Sequence, residues 1–228
     1  NFDLAETCVT QAANGDLVAI IRTQGPGVAE AEGNGRQLWT AISSDAGATW
    51  NWTERNNVGV HNWSAAASSA DGTKLAIVAN DGAILTSSDA GATWTEHAIP
   101  GVSYEWATIT SSADGARLAI GGNVFNSGVN SAIFTSTDSG TSWTSRLTLD
   151  RALYSLATSA DGVKLVAGTD VDANLSAPSI YTSSDSGATW TAQTGSGVNF
   201  WMQVASSADG TRLGAVDGIY LWISKDSG

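Results

Sequence analysis

Basic side chains are scarce in this sequence: ten Lys and Arg stand against 22 Asp and Glu, a formal net charge of −12. With no run of Lys or Arg there is no electrostatic footprint for a phosphate backbone or an anionic lipid surface, so nucleic acid is not an expected partner. Long apolar runs are missing as well. The longest are strand-sized, such as LVAII at 17–21, against the ~18–20 residues of a membrane helix, so no membrane insertion is expected. Cys8 is the only cysteine; no internal disulfide can form, the redox compartment stays open, and a small buried hydrophobe is its simplest reading. His61 and His97 are the only histidines, too few and too far apart for a zinc site. Helical periodicity is absent throughout.

What is present is an apolar fraction of 42% over 228 residues, ample for a packed core, with 25 glycines and 10 tryptophans. The sequence opens on Asn1 rather than methionine, which suits a processed mature protein or a fragment. The expected localisation is extracellular or cell surface.

Two interleaved repeats organise the chain. SSDAGATW occurs at 43–50 and 87–94, STDSGTSW at 136–143, SSDSGATW at 183–190 and a shortened SKDSG at 224–228. Their aspartates are Asp45, Asp89, Asp138, Asp185 and Asp226, spaced 44, 49, 47 and 41 residues apart, close to the ~40–45 residues of a four-stranded propeller blade. Between them lie SSADGTKL (68–75), SSADGARL (111–118), TSADGVKL (158–165) and SSADGTRL (206–213), with a degenerate first copy QAANGDLV at 11–18. Short apolar runs such as KLAIVA (74–79) and AILTS (83–87) separate the two turns and read as hairpin strands. The expectation is an all-β chain, a single β-propeller domain over 1–228 with four-stranded antiparallel blades. Strand A ends at the ADG turn, strand C ends at the SxDxG turn and strand D begins at the TW. Five blades are the minimal count. The fifth copy is incomplete at Gly228, so either residues 1–5 supply a closing strand or the polypeptide continues, and six or seven blades stay open.

The SxDxGxTW element resembles the Asp-box, or BNR repeat, of sialidases, sortilin-type receptors, photosystem II assembly factors and several secreted glycosidases and lectins. Four copies match in full and the resemblance spans the whole chain. It implies the propeller fold, with an Asp-box in each C–D turn; it does not by itself assign an activity.

The turn chemistry accounts for the motif without any ligand. An Asp carboxylate accepts from nearby backbone N–H groups, Gly supplies positive φ, and Thr or Ser hydroxyls bind what remains. Trp50, Trp94, Trp143 and Trp190 are then expected to fill the gap against the next blade. Nine of the 16 aspartates lie in the two kinds of turn, so the acidity is read as architectural rather than as a partner-binding surface.

Both turns share one propeller face, so variable functional residues belong on the other, among the D–A and B–C loops. Counting eight residues back from each ADG aspartate, or its equivalent, reaches Glu6, Trp63, Trp106, Leu153 and Trp201. Trp63, Trp106 and Trp201 should therefore ring the channel mouth beside His61, Tyr104, Glu105, Tyr154 and Phe200. Aromatics beside a few polar groups form a surface that stacks on sugar rings, although the same tryptophans could plug the channel as core.

A sialidase would require an arginine triad and the family's Arg-Ile-Pro signature. Arg117 and Arg212 belong to the ADG repeat, the remaining Arg22, Arg36, Arg55, Arg146 and Arg151 form no recognisable triad, and the signature is absent. Another glycosidase would need two carboxylates about 5–10 Å apart; Glu6 and Glu105, with Asp150, Asp170 and Asp172, are the candidates. DVDAN at 170–174 has the first spacings of a calcium loop, but Leu175 and Tyr181 replace its glycine and glutamate, so no metal site or other cofactor is expected. N-x-S/T sequons at Asn51, Asn62 and Asn174 are candidate glycosylation sites.

The leading functional expectation is a secreted, non-catalytic binding module for carbohydrate. A glycoside hydrolase of the sialidase-like type comes second, and a protein-interaction scaffold gripping a partner on the loop face comes third.

Overall fold

The computed structural model describes residues 4–11, 17–23, 37–43, 45, 47–55, 58–59, 61–99, 104–124, 131–171, 179–197 and 199–226. Side chains are described from position 41 onward within those ranges, apart from 42 and 52. Among the described residues nineteen strands form five sheets. The first contains β1 (Leu4–Gln11), β2 (Leu17–Thr23), β3 (Gln37–Ser43) and β4 (Asn51–Glu54). The second contains β5 (Trp63–Ser68), β6 (Leu75–Ala79), β7 (Ile84–Ser87) and β8 (Thr95–His97). The third contains β9 (Glu105–Ser111), β10 (Leu118–Asn123), β11 (Ser131–Ser136) and β12 (Thr144–Leu149). The fourth contains β13 (Leu153–Thr158), β14 (Leu165–Thr169), β15 (Ile180–Ser183) and β16 (Thr191–Ala192). The fifth contains β17 (Gln203–Ser206), β18 (Leu213–Val216) and β19 (Leu221–Ser224). Each sheet is an antiparallel meander in chain order.

Burial follows the sequence pattern. The second strands LAIVA and LVAGT are buried at every position because both faces of the sheet are covered, whereas the outer strand TEH is largely exposed. The core is therefore distributed into seams between sheets. One cluster joins Ala76, Val78 and Ile84 of the second sheet to Trp106, Ile120 and Phe134 of the third. Another joins Ile133 to Leu153, Leu156 and Ala167 across the third and fourth sheets. A third joins Val166 and Ile180 to Trp201, Val204 and Ala215 across the fourth and fifth.

The SxDxGxTW turns have the expected chemistry. In the second sheet the Ser87 hydroxyl donates to Asp89 Oδ1 at 2.8 Å, the Thr93 N–H to the same oxygen at 2.8 Å and the Thr93 hydroxyl to Oδ2 at 2.6 Å. The Gly91 N–H in turn donates to Ser87 Oγ at 2.9 Å. The same bonds recur around Asp45, Asp138 and Asp185. Two consecutive residues, not glycine alone, take positive φ: Ser139 at 57° and Gly140 at 90°. At Gly140 a Cβ would also stand 2.8 Å from Thr86 Cγ2 of the preceding sheet, so conformation and space both select glycine.

The two turns of one sheet touch, which places both repeats on one face. The N–H groups of Ala90, Ser139 and Ser186 donate to the carbonyls of Thr73, Ala116 and Val163. Adjacent ADG turns are also linked: Ala70 N–H donates to Ala113 O at 2.7 Å, Ala113 N–H to Ala160 O at 2.7 Å and Ala160 N–H to Ala208 O at 2.8 Å. The repeat cations lie across the same seams, with Arg117 Nη1 donating to Ser186 Oγ at 2.9 Å.

Four expectations are corrected. Trp143 and Trp190 pack in the seam shared with the preceding sheet rather than the next, because their turn folds back over β7 and β11 respectively. Strand D starts one residue after the tryptophan, at Thr95, Thr144 and Thr191. Leu4 and Ala5 lie in β1, with Leu4 opposite Thr23 of β2, so they do not close the fifth sheet; residues 1–3 lie outside the described residues. Finally, packing runs from first to fifth sheet in sequence order, and no comparable packing of the fifth on the first is seen among the described residues.

The turn bonds predict acid sensitivity. Asp45, Asp89, Asp138 and Asp185 are lowered from 3.8 to about 2, first by a Thr or Ser hydroxyl and then by the backbone N–H of that residue. Asp71 falls from 3.8 to about 2 as well, first through the Ser69 hydroxyl. The folded state thus favours the ionised form, and between these values the unfolded chain binds more protons. The melting temperature should hold above pH 5 or so, start to fall near pH 3.8, and fall further through pH about 2. Thermal melts across that range check this; a flat profile down to pH about 2 would show that the turn aspartates do not support the fold.

Candidate functional site

The face opposite the turns carries the inner-strand starts, and a recurring β-bulge shapes it. The A–B register shifts between Leu4 and Glu6, between Trp63 and Ala65, opposite Gly121 and Gly122, and between Leu153 and Ser155. A bulge leaves one residue unpaired and re-aims its side chain. The register also places Leu4, not Glu6, at the position of Trp63 and Leu153. Glu6 sits two residues further along, opposite Arg22. The degenerate first repeat displaced the count by two.

Trp63, Trp106 and Trp201 do occupy equivalent places, but as core. Their exposures are 3%, 2% and 0%. Trp106 donates its indole N–H to the Gly82 carbonyl at 2.9 Å. It stacks on Tyr104 at 4.9 Å and meets Phe134 edge-on at 5.8 Å. Its six-membered ring lies over Gly122, where a Cβ would come within 2.6 Å, so that glycine is the clearance the indole needs. Tyr104 is likewise buried. Since these rings are packed against protein on both faces, they form the floor of the loop face and not an open stacking platform.

What reaches water on this face is different. The bulged residue Tyr154 is 41% exposed and meets half-buried Phe200 edge-to-face, with ring centroids 4.7 Å apart. Met202 is 52% exposed beside Gly218, and the turn that follows β18 carries exposed Ile219 and Tyr220. Partial burial and the nearby Asp170 charge raise the Tyr154 phenol above its ordinary value, keeping it a protonated donor. Tyr154 and Phe200 were legible in the sequence as neighbours of the mouth. Met202 and Tyr220 were not, because neither recurs in the repeat.

Toward the second sheet, His61 Nδ1 lies 3.1 Å from Asp81 Oδ2, which also accepts the Asn62 N–H at 3.3 Å. The His61 ring leans on Trp63 at 4.8 Å. Glu105 is exposed at the start of β9, and Asp150 is exposed beside Arg151, whose Nε donates to it at 3.2 Å. Every carboxylate whose titration is displaced among the described residues is lowered, as at Asp217, which accepts from the Tyr220 and Ile219 N–H groups. That is the opposite of what a general acid needs. No group of three or more His, Cys, Asp or Glu able to hold a metal occurs among the described residues. Asp172, Asn174 and Leu175 of the calcium-like loop lie outside them. Asn51 and Asn62 are exposed, while Asn174 lies outside the described residues. The Asp226 carboxylate accepts from the Ser224 hydroxyl at 2.6 Å, repeating the first bond of the other turns.

No protein-family model matches this sequence, and no curated protein does. Solved structures do resemble its fold. The GH74 xyloglucanase from Xanthomonas campestris is 15% identical, with TM-score 0.63 over 92% of this chain. The chain spans about a third of that enzyme, 35% of its length. A chain of the nidogen/laminin complex is 14% identical, with TM-score 0.58 over 88% of this chain and 67% of its own. The β-propeller domain of Myceliophteria thermophila Cps50 (Swd1) is 12% identical, with TM-score 0.58 over 95% of this chain and 82% of its own. The all-β propeller architecture is thus shared with proteins of several kinds, a glycoside hydrolase among them.

Replacing Trp106 by Ala should cost about 3–5 kcal/mol in urea denaturation, since it empties a fully packed site. Tyr154→Ala should stay within about 1 kcal/mol, as exposed substitutions do. Equal losses at the two positions would contradict this division into floor and surface.

Proposed function

We propose that this chain is a secreted, non-catalytic binding module of the Asp-box type that takes carbohydrate on the loop face of its fourth and fifth sheets. The observation that carries the proposal is the exposed Tyr154 ring against Phe200, with Met202 and Tyr220 of the fifth sheet also exposed. Exposed aromatic faces stack on the apolar faces of sugar rings, and a protonated phenol can donate to a hydroxyl. Trp201 supports that surface from the seam between the fourth and fifth sheets, while Trp63, Trp106 and Tyr104 form the floor of the loop face at the second and third sheets, where His61, Asp81 and Glu105 add polar groups. The likeness to a xyloglucanase supports carbohydrate as the ligand class through fold analogy alone.

That same likeness favours glycoside hydrolysis as the second reading, with Glu105 and a loop aspartate such as Asp170 as the carboxylates. The interaction scaffold is the third, in keeping with the likeness to a chain of the nidogen/laminin complex.

A glycan array probed with the folded chain, Tyr154→Ala and Phe200→Ala separates these readings. Saturable binding that both variants weaken about tenfold or more, with no turnover of chromogenic glycosides, is the expected result. Turnover would replace the module by the hydrolase, and silence on the array would favour the scaffold. If the chain passes through a eukaryotic secretory pathway, intact mass should show hexose-containing increments that vanish from an Asn51→Gln, Asn62→Gln double variant, leaving only any glycan on Asn174.

A further inference from the structure

Three chain segments meet at one corner of the loop face, and backbone bonds fix how they meet. The Asp170 N–H donates to the Ala152 carbonyl at 2.9 Å, which ties the end of β14 to the start of β13. The Trp201 N–H donates to the Thr169 carbonyl at 3.1 Å, which holds the approach to β17 against the same strand end. Tyr154, Asp170 and Phe200 thereby become neighbours although they are distant in sequence.

The corner presents two aromatic rings and a carboxylate. Tyr154, re-aimed by the bulge of β13, is 41% exposed and meets Phe200 with ring centroids 4.7 Å apart. Asp170 is half-buried, and its Oδ1 accepts the Val171 N–H at 2.7 Å. That bond orients the carboxylate, and among the described residues no donor occupies Oδ2. The carboxylate is close enough to act on the ring: partial burial first, and the Asp170 charge second, raise the Tyr154 phenol.

The exposed charges on this face have one sign. Asp150 precedes β13, and Asp81 and Glu105 stand over the second and third sheets; all three are exposed. Arg151, the one Lys or Arg described there, is only 7% exposed and donates its Nε to Asp150 at 3.2 Å. The cations of the ADG repeat lie on the opposite face, as Lys74 and Arg117 do beside Ser139 and Ser186 of the other turns.

This arrangement sets what a ligand should carry. An aromatic face attracts a cation through its quadrupole, and a carboxylate accepts a strong hydrogen bond from an ammonium. An acidic sugar would face like charge here, which is costly. A neutral sugar would use the ring and leave the Asp170 charge without its complement.

We propose that the corner formed by Tyr154, Asp170 and Phe200 selects sugars with a free, protonated amine, hexosamines of the glucosamine type, whose ammonium lies between Asp170 Oδ2 and the Tyr154 ring. The inference rests on the carbohydrate reading above and narrows it to one ligand class. An exposed cation–π contact and an exposed ion pair are each worth a few-fold in affinity, so together they should prefer the amine by about tenfold.

Three β-1,4-linked trisaccharides test this: the glucosamine trimer, its N-acetylated form and the glucose trimer. They share ring and linkage and differ at carbon 2, which bears an ammonium, an amide or a hydroxyl. Calorimetric titration of the full chain, at low ionic strength and with the amine protonated, should show the glucosamine trimer bound about tenfold tighter than the other two. Asp170→Asn keeps an oxygen for the Val171 N–H and should melt as the parent chain does, while bringing the three affinities to within about twofold. It changes the net charge of −12 by a single unit, so a general attraction of cations to an acidic chain would survive it. Tyr154→Ala should weaken all three sugars. Equal affinities in the parent chain, or an amine preference that persists in Asp170→Asn, would overturn the inference and leave the carbohydrate reading standing. Binding of none of the three would also overturn it, and silence on the glycan array would remove the carbohydrate reading as well.

Discussion

The hydrogen bonds that pass from one ADG turn to the next set the distance between sheets, and the rest of the structure follows from that distance. Ala113 accepts from Ala70 and donates to Ala160, and Ala160 donates in turn to Ala208. Such a relay needs small side chains and turns of nearly identical shape, because a shift in one turn would break the bonds on both sides. The aspartates supply that identity. Asp71, Asp114, Asp161 and Asp209 each bind the preceding serine hydroxyl and the N–H two residues ahead. The turns are therefore fixed locally before any seam is packed.

Once the spacing is fixed, the seams have to be filled, and filling consumes most of the large side chains. Trp143 and Trp190 occupy the seams from the turn side, while Trp106 and Trp201 enter from the loop side. Aromatic residues that recur from blade to blade are then structural because the seam itself recurs. Residues free to meet a ligand are those the repeat does not prescribe. The bulge at the start of the inner strand adds one such position in each of the first four sheets. It holds Ser64, whose hydroxyl donates to the carbonyls of Val78 and Trp106, and it holds the exposed Tyr154. One backbone device thus serves packing in one blade and surface in another.

The strong negative charge has the same architectural origin. Carboxylates in the turns are held ionised by hydroxyls and N–H groups supplied within five residues, and these bonds leave them at the surface. The turn carboxylates lie on the face opposite Tyr154 and Phe200, whereas Asp170, whose charge reaches Tyr154, belongs to neither repeat.

The repeat by itself determined the strand order within a sheet, the positions of both turns and their common face, because these depend on hydrogen bonds within a few residues of each aspartate. It also marked Trp63, Trp106 and Trp201 as equivalent. Burial was not legible there, since whether an indole faces water or a neighbouring sheet depends on the seam that Gly122 and Phe134 build from distant sequence. Nor could counting place Glu6, as the register of the degenerate first blade is set by pairing with β2. Only the tertiary structure turned Tyr154 outward and brought it to Phe200. Each of those outcomes depends on where one sheet ends and the next begins, which no local turn specifies.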